Sequence, residues 1–468
     1  MNGESGAPSS STSKNQERTI SSLSDHPTVR RFWEKAKATP VKPGSAILDA
    51  QWLRQLCLDV GADDVGFVDI DRPELGNERA DIVRFFQPTK ALISFVLRMN
   101  REPIRSPARS AANVEFHQTG ERVNEVAHHI VTALGNRGVR AINPAMGFPM
   151  EVDRIGTGKI WIVSHKPLAI AAGLGHMGIH RNVIHPRFGN FILLGTVLLD
   201  AAVTEYQRQL DYNPCLECKL CVAACPVGAI GSDGAFNFAA CFTHNYREFY
   251  GGFINWVEQI VESKSARDYR NRISNPESAS MWQSLSFGAN YKSAYCMAVC
   301  PAGEDVIAPF LTDRTEYLKD VVRPLQEKEE TVYVVGESDA EDYVSRRFPK
   351  KHTKRVGNSL NRLRSISAFL AGLRLTFQRG QSKGIAATYH FTFTGDEDRK
   401  ATVIIRDETV DVKEGHVGNA DLQVRADSRT WLGFLAKERN LVWALIRRKI
   451  RLKGSPRLLL AFGKCFPS

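Results

Sequence analysis

The sequence predicts an α/β domain carrying a cysteine-rich module, followed by a separate α+β unit. Three observations lead there. Short β-branched and aromatic runs, Val65-Gly-Phe-Val-Asp-Ile and Ala91-Leu-Ile-Ser-Phe-Val-Leu, alternate with helical patterns at 47–60 and 121–135. Seven of the nine cysteines fall between 215 and 300. Beyond about residue 378 the apolar pattern starts afresh with period two.

With 468 residues the chain exceeds the length at which one core usually stops growing, so two or three domains are expected. Hydrophobic residues at 43% and charged residues at 24% exclude a wholly disordered or fibrous chain. The net charge of +11 is spread over the sequence and reads as solvated surface, with no nucleic acid expected. A denser run, Arg346, Arg347, Lys350, Lys351, Lys354, Arg355, Arg362 and Arg364, is a candidate surface for an acidic redox partner or an anionic lipid.

Taken in order, residues 1–45 read as a disordered or extended segment, rich in Ser, Gly and Asn over the first 24. Arg30-Arg31 is followed by Phe-Trp-Glu-Lys-Ala-Lys and not by an apolar stretch, so a twin-arginine signal is rejected. No window supplies the roughly 20 apolar residues of a membrane span, and a cytoplasmic address is expected, with peripheral membrane contact left open. Residues 46–205 form the α/β domain, opening with a helix over Ile47–Val60 that Gly61 ends. Within it, the Gly-rich run Ala171-Ala-Gly-Leu-Gly-His-Met-Gly-Ile-His180 passes through His185-Pro-Arg-Phe-Gly-Asn-Phe into another strand. Residues 206–312 hold the cysteine module, 313–378 a basic connecting segment and 379–468 the last domain. In that domain Ala387, Tyr389, Phe391 and Phe393 alternate, as do Leu422, Val424 and Ala426. A helix carrying Trp431, Phe434 and Leu435 follows a cap at Asp427 or Ser428.

The cysteines carry the chemistry. Cys215, Cys218, Cys221 and Cys225 form a C-x2-C-x2-C-x3-C run followed by Pro226. In bacterial two-cluster ferredoxins this spacing wraps three thiolates round one iron–sulfur cluster and directs the fourth to the other. Cys296-x3-Cys300-Pro301 supplies the reciprocal partner, so the first cluster is Cys215, Cys218, Cys221 and Cys300. The second draws on Cys225, Cys241 and Cys296 and is one thiolate short, with Ser293 where a repeat would place cysteine. It is a 3Fe-4S cluster, a 4Fe-4S cluster with a Ser, His, carboxylate or water ligand, or a cluster lost in part. A zinc site needs only four ligands and leaves the run unexplained. Gly173, Gly175, Gly178 and Gly189 permit close backbone approach, either to a flat cofactor or in tight strand–helix packing.

The order of these segments, from Lys166-Pro-Leu-Ala-Ile-Ala-Ala-Gly-Leu-Gly through His185-Pro-Arg-Phe-Gly to the cysteine runs, resembles the cobalamin-dependent reductases over residues 46–312. These comprise epoxyqueuosine reductase and the reductive dehalogenases. The resemblance implies a reductase-like α/β domain with an inserted ferredoxin-like two-cluster module. It also implies cobalamin held by Gly173, Gly175, Gly178, His185, Arg187 and Gly189, and reduced ferredoxin or flavodoxin as electron donor. Reductive cleavage requires a proton donor. Asp153 resembles the acid of the epoxyqueuosine reductases, and His165, Lys166, His176 and His180 are rivals. The longer spacing after Asp153 and the missing cysteine at 293 depart from those enzymes.

Ala387-Thr-Tyr-His-Phe, Asn419-Ala-Asp-Leu-Gln-Val and Lys449-Ile-Arg-Leu-Lys-Gly-Ser are similar to a sterol carrier protein domain. That resemblance implies an apolar small molecule or lipid as partner, with Phe391, Phe393, Trp431, Phe434, Leu435, Trp443 and Leu460 as candidate tunnel lining. The expectation is thus an iron–sulfur oxidoreductase, cobalamin-dependent by resemblance, that reductively processes an apolar molecule, for example by dehalogenation. An electron-transfer or redox-sensing protein without cobalamin is the alternative.

Overall fold

The computed structural model describes residues 26–38, 47–154, 159–358, 360, 365–436, 438–439 and 441–467. The chain divides into two units, residues 1–46 and 47–468. In the first, Pro27–Ala38 forms helix α1 and exposes Phe32 and Trp33. Pro27 opens that helix, where its missing N–H leaves nothing unpaired. The expected extended segment is therefore helical here, because the polar composition of the first 24 residues does not continue into it.

The second unit opens with strand β1 (Ile47–Leu48), and Asp49 then caps helix α2 (Ala50–Asp59) by accepting from the Trp52 amide at 2.8 Å. The predicted helix over 47–60 is thus two elements. Strands β2 (Asp64–Asp69), β3 (Ala91–Arg98), β4 (Ala141–Ile142) and β7 (Ile192–Leu199) form an antiparallel sheet in the order β2-β3-β7-β4. Between β4 and β7 lie the short paired strands β5 (His176–Met177) and β6 (Val183–Ile184). A two-residue strand β8 (Ala202–Val203) pairs with β1.

Both faces of this sheet are covered, which explains why β3 is apolar along its length. Ile93, Phe95 and Leu97 share a core with Val123, Val126, Ile130 and Leu134 of helix α3 (Arg109–Asn136). Leu92 and Val96 point the other way, into a core with Leu168, Ala169 and Ala171 of helix α4 (His165–Ala171).

The cysteine module is helical: α5 (Leu220–Ala224), α6 (Phe238–Asn245), α7 (Gly251–Val261), α8 (Asn275–Phe287) and α9 (Tyr295–Ala298). The connecting segment is regular too. Strands β9 (Glu330–Val335) and β10 (Lys351–Val356) pair in parallel, joined by helix α10 (Asp339–Arg347), and Val332, Val334 and Val344 share a core with Cys221 and Cys225. This pairing corrects the reading of the basic run as a free cationic face. Lys351 is buried against Glu330 at 2.7 Å, Lys354 meets Glu277 at 2.6 Å, Arg355 meets Glu341 at 2.5 Å and Lys350 meets Glu327 at 3.7 Å. Arg362 and Arg364 lie outside the described residues.

The last domain begins earlier than the period-two pattern indicated. Helix α11 (Ile366–Thr376) places Ile366, Phe369 and Leu373 in one core with Tyr389, Phe391 and Phe393. That core backs a sheet of order β13-β12-β11-β14-β15, built from β11 (Ala387–Thr394), β12 (Arg399–Arg406), β13 (Thr409–Glu414), β14 (Leu422–Asp427) and β15 (Ile450–Gly454). Helices α12 (Ser428–Leu435), α13 (Leu441–Ile446) and α14 (Pro456–Lys464) complete it, with Asp427 capping α12 as its sequence suggested. Of the candidate tunnel residues, Phe391, Phe393 and Trp431 pack on one another, Phe434 and Leu435 are half-buried, and Trp443 and Leu460 are exposed. The Trp431 indole N–H is buried without a hydrogen-bond partner.

Gln378 joins the domains. Fully buried, it accepts at its side-chain oxygen from Asn237 Nδ2 and from the Asp339 amide, each at 3.1 Å, while its own backbone N–H donates to the Cys465 carbonyl at 2.9 Å. Asn237 in turn caps α6, the helix that carries Cys241.

Candidate metal centre

The first cysteine run is an irregular loop running into one helical turn. Glu217 and Lys219 take positive φ (49° and 63°), which turns the chain sharply enough to bring Cys215 and Cys218 towards Cys221 on α5. Cys225 lies just past the end of α5, where the Ala229 amide donates to its sulfur at 3.3 Å. Ala294, also left-handed at φ 56°, starts α9 and with it the Cys296–Cys300 turn.

The thiols gather as the spacing predicts. Cys215, Cys218, Cys221 and Cys300 line one small cavity, with Ile179, His180 and Pro301 completing its wall. Burial, and then proximity to Cys218, Cys221 and Cys215, push the Cys300 thiol far up. Cys221 is pushed up to about 12, by burial and then by Cys296, Cys218 and Cys215. Thiols so placed stay protonated unless a cation balances them. Among the described residues no three His, Cys, Asp or Glu side chains converge at the spacing of a single ion. Four thiols round a cavity, too far apart for one ion, suit a multi-iron cluster and not zinc.

Cys225, Cys241 and Cys296 form the second group. Cys296 is pushed up to about 12 by burial and then by Cys225, and Cys241 is raised further by burial and by both neighbours. Ser293 is occupied elsewhere: its amide and hydroxyl donate to Asn245 Oδ1 at 3.0 and 3.2 Å. Lys166 completes the surroundings. Its ammonium donates to the Arg181 carbonyl at 2.6 Å and to Asn182 Oδ1 at 3.1 Å, and its charge acts on Cys296 and Cys241. Burial lowers the Lys166 pKa, and the thiols only partly offset that.

The other predicted residues are placed as follows. Asp153 stands exposed in a one-turn helix, Val152–Arg154. His165 is held at both ring nitrogens, Nδ1 by the Thr196 hydroxyl at 2.8 Å and Nε2 by the Ala145 carbonyl at 3.1 Å, and burial lowers its pKa. His180 faces the first cavity, with its pKa pushed down to about 4 by burial and then by Lys166, and Nδ1 of His176 is buried without a partner. His185 reaches Asp64 at 3.1 Å; burial alone would raise Asp64, but this bond and the Val65 amide hold its carboxyl below the usual range.

The glycines and the His-Pro-Arg-Phe-Gly loop do not form a cradle. A Cβ on Gly173 would lie 2.4 Å from the Arg208 carbonyl oxygen, on Gly175 2.5 Å from that of Ile184, and on Gly178 2.8 Å from the His180 ring. On Gly189, at φ +66°, it would meet the Ala302 carbonyl oxygen at 2.0 Å. Protein already fills the space a flat cofactor would need there, so these residues do not fit cobalamin. They clamp the turn after Cys300 instead: Arg187 Nε donates to Asp305 Oδ2 at 3.0 Å, and the Glu304 amide donates to the Pro186 carbonyl at 2.9 Å. Sequence reasoning missed Asn182 and Asn245, which no spacing signal marks.

Residues 209–231 match the 4Fe-4S binding domain, and residues 373–467 match the SCP-2 sterol transfer family. This is an iron–sulfur protein with a carboxy-terminal SCP-2 domain. Its amino-terminal relatives are epoxyqueuosine reductases, as the sequence resemblance implied. It is 29% identical to that of Vibrio cholerae over 89 residues, covering 19% of this chain and 24% of the relative. With that of Cyclobacterium marinum it shares 22% identity over 193 residues, 39% of this chain and 58% of the relative. The chain therefore spans between a quarter and three fifths of the length of these relatives. The structure of epoxyqueuosine reductase from Streptococcus thermophilus superposes with a TM-score of 0.32 at 14% identity, covering 58% of this chain and 75% of that one. Among the described residues no helix is long and apolar enough to cross a membrane.

Proposed function

We propose that this protein is an iron–sulfur oxidoreductase that delivers electrons singly to an apolar small molecule handled by its SCP-2 domain. The observation that carries this reading is the sorting of seven buried or half-buried thiols into one group of four and one of three. Cys215, Cys218, Cys221 and Cys300 would hold the first cluster, and Cys225, Cys241 and Cys296 the second, of three or four irons. Such clusters supply one electron at a time. The chain's own contribution is to exclude water from both groups, to fix Cys300 through the Arg187–Asp305 clamp, and to set the Lys166 charge beside the second. Among the candidate proton donors, Lys166 stands beside thiols, whereas His165 is committed to Thr196 and Ala145 and Asp153 is exposed. The electron donor is a reduced ferredoxin or flavodoxin.

The second reading is an electron-transfer or sensing protein without cobalamin, and the protein-filled glycine contacts favour it over a cobalamin enzyme. Anaerobic reconstitution with iron, sulfide and cobalamin, with iron and cobalt counted per chain, tests both. Two clusters' worth of iron supports the oxidoreductase reading, and iron for less than one cluster sinks it. Cobalt retained in proportion would overturn the second reading and place cobalamin on residues other than these glycines.

A further inference from the structure

We propose that the SCP-2 domain docks on an anionic lipid surface through residues 441–464. After Glu438 the chain has no Asp or Glu to its end, yet it has eight lysines and arginines. Six of these, Arg447, Arg448, Lys449, Arg451, Lys453 and Arg457, fall within eleven residues, and all are exposed. A run of this density, uninterrupted by acids, is what the negative potential of an anionic leaflet selects.

Large apolar side chains stand exposed in the same segment. Trp443 is 60% exposed, Ile446 64% and Leu460 64%. Trp443 and Ile446 are three residues apart on α13 and so share a helix face. The Arg447 guanidinium lies 5.8 Å from the centre of the Trp443 ring, which leaves an amphipathic pair of the kind that suits a membrane–water boundary. Two simpler explanations fall short. Cations on β15, an edge strand, would discourage pairing with another chain, but they do not account for Trp443, Ile446 and Leu460 facing water. A nucleic acid would use the cations and leave Ile446 and Leu460 without a role. A bilayer uses both, and it is also where an apolar ligand of this domain would reside.

This inference rests on the lipid-handling half of the proposed function and not on its redox half. Flotation of the full-length protein tests it, with vesicles of phosphatidylcholine alone and of equal parts phosphatidylcholine and phosphatidylglycerol. Retention is expected on the anionic vesicles only, and to be reversed by high salt. Replacing Arg447, Lys449 and Lys453 together by Gln should weaken it roughly a hundredfold, at about fivefold per cation. Trp443→Ser with Leu460→Ser should weaken it about tenfold while leaving iron content and thermal unfolding unchanged, since both side chains are exposed. Equal retention of the triple variant, or no retention on either vesicle, overturns the proposal. So does triple-variant-sensitive binding of an RNA stem-loop without vesicle binding, which would assign the surface to nucleic acid. A fluorescent fatty-acid analogue separates the two failures: bound analogue without vesicle retention sinks docking alone, and neither sinks lipid handling as well.

Discussion

The two thiol groups come from one sequence repeat and are finished differently. The first has four cysteines round a cavity and a loop clamped by Arg187, Asp305 and Gly189. The second has three cysteines, a serine already bonded to Asn245, and a lysine ammonium where a further anionic ligand would have brought negative charge. The first is built for permanence. The second is built with one side less firmly committed, and a cluster's potential follows its charge and hydrogen bonding. The repeat thus sets position, and the surroundings set chemistry.

The comparison breaks most readily at Cys300. Cys300→Ser should remove about half of the bound iron and one of two spin-resonance signals, with Cys296→Ser removing the other; loss of both signals from either change would mean the groups are one site. Next comes Gly189→Ala, which sets a Cβ against the Ala302 carbonyl oxygen in a left-handed conformation. A loss of roughly 3 kcal/mol or more in urea unfolding is expected, and unchanged stability would return that glycine to a cofactor role.

On the second side, His244 shares α6 with Cys241, and its pKa is pushed down to about 4, by burial and then by nearby lysines against the pull of Glu330. Its folded value lies below the unfolded one, so the unfolded chain binds the proton more readily and stability falls as pH drops from about 6.5 towards 4. The full effect is up to about 3 kcal/mol, and His244→Gln should flatten this part of the pH profile in denaturant unfolding. The smallest effect is at Lys166. Lys166→Met removes a positive charge that favours the reduced state, and should lower the second centre's potential by on the order of 60 mV in a spectroscopic redox titration, with the first centre unmoved.

The partition of the thiols was legible in the sequence because cluster ligation depends on spacing along the chain, and Cys215 to Cys225 carry that spacing locally. The faces of β3 and the cap at Asp427 were legible for the same reason. What escaped depends on partners far away in sequence. Lys351 looks like a surface cation until Glu330 is placed beside it, and α11 looks like a connector until Phe369 meets Phe391. The glycines were ambiguous in principle: close approach to a cofactor and close approach to Arg208, Ile184 or Ala302 select the same residue. In the last domain, Trp443 and Leu460 have the side-chain type of tunnel lining, and only their exposure separates them from Phe391 and Trp431.

Gln378 bears on how this architecture can be taken apart. One buried carboxamide serves Asn237 in the cysteine module and Asp339 beyond β9, while its backbone is tied to Cys465 near the end of the chain. The final domain is therefore not a detachable cargo module. A graft or truncation cut just before or after residue 378 would leave polar groups orphaned on both sides. A workable excision would have to begin ahead of Ile366 and repair Asn237, so a lineage exchanging this domain between proteins would have to remake that seam each time.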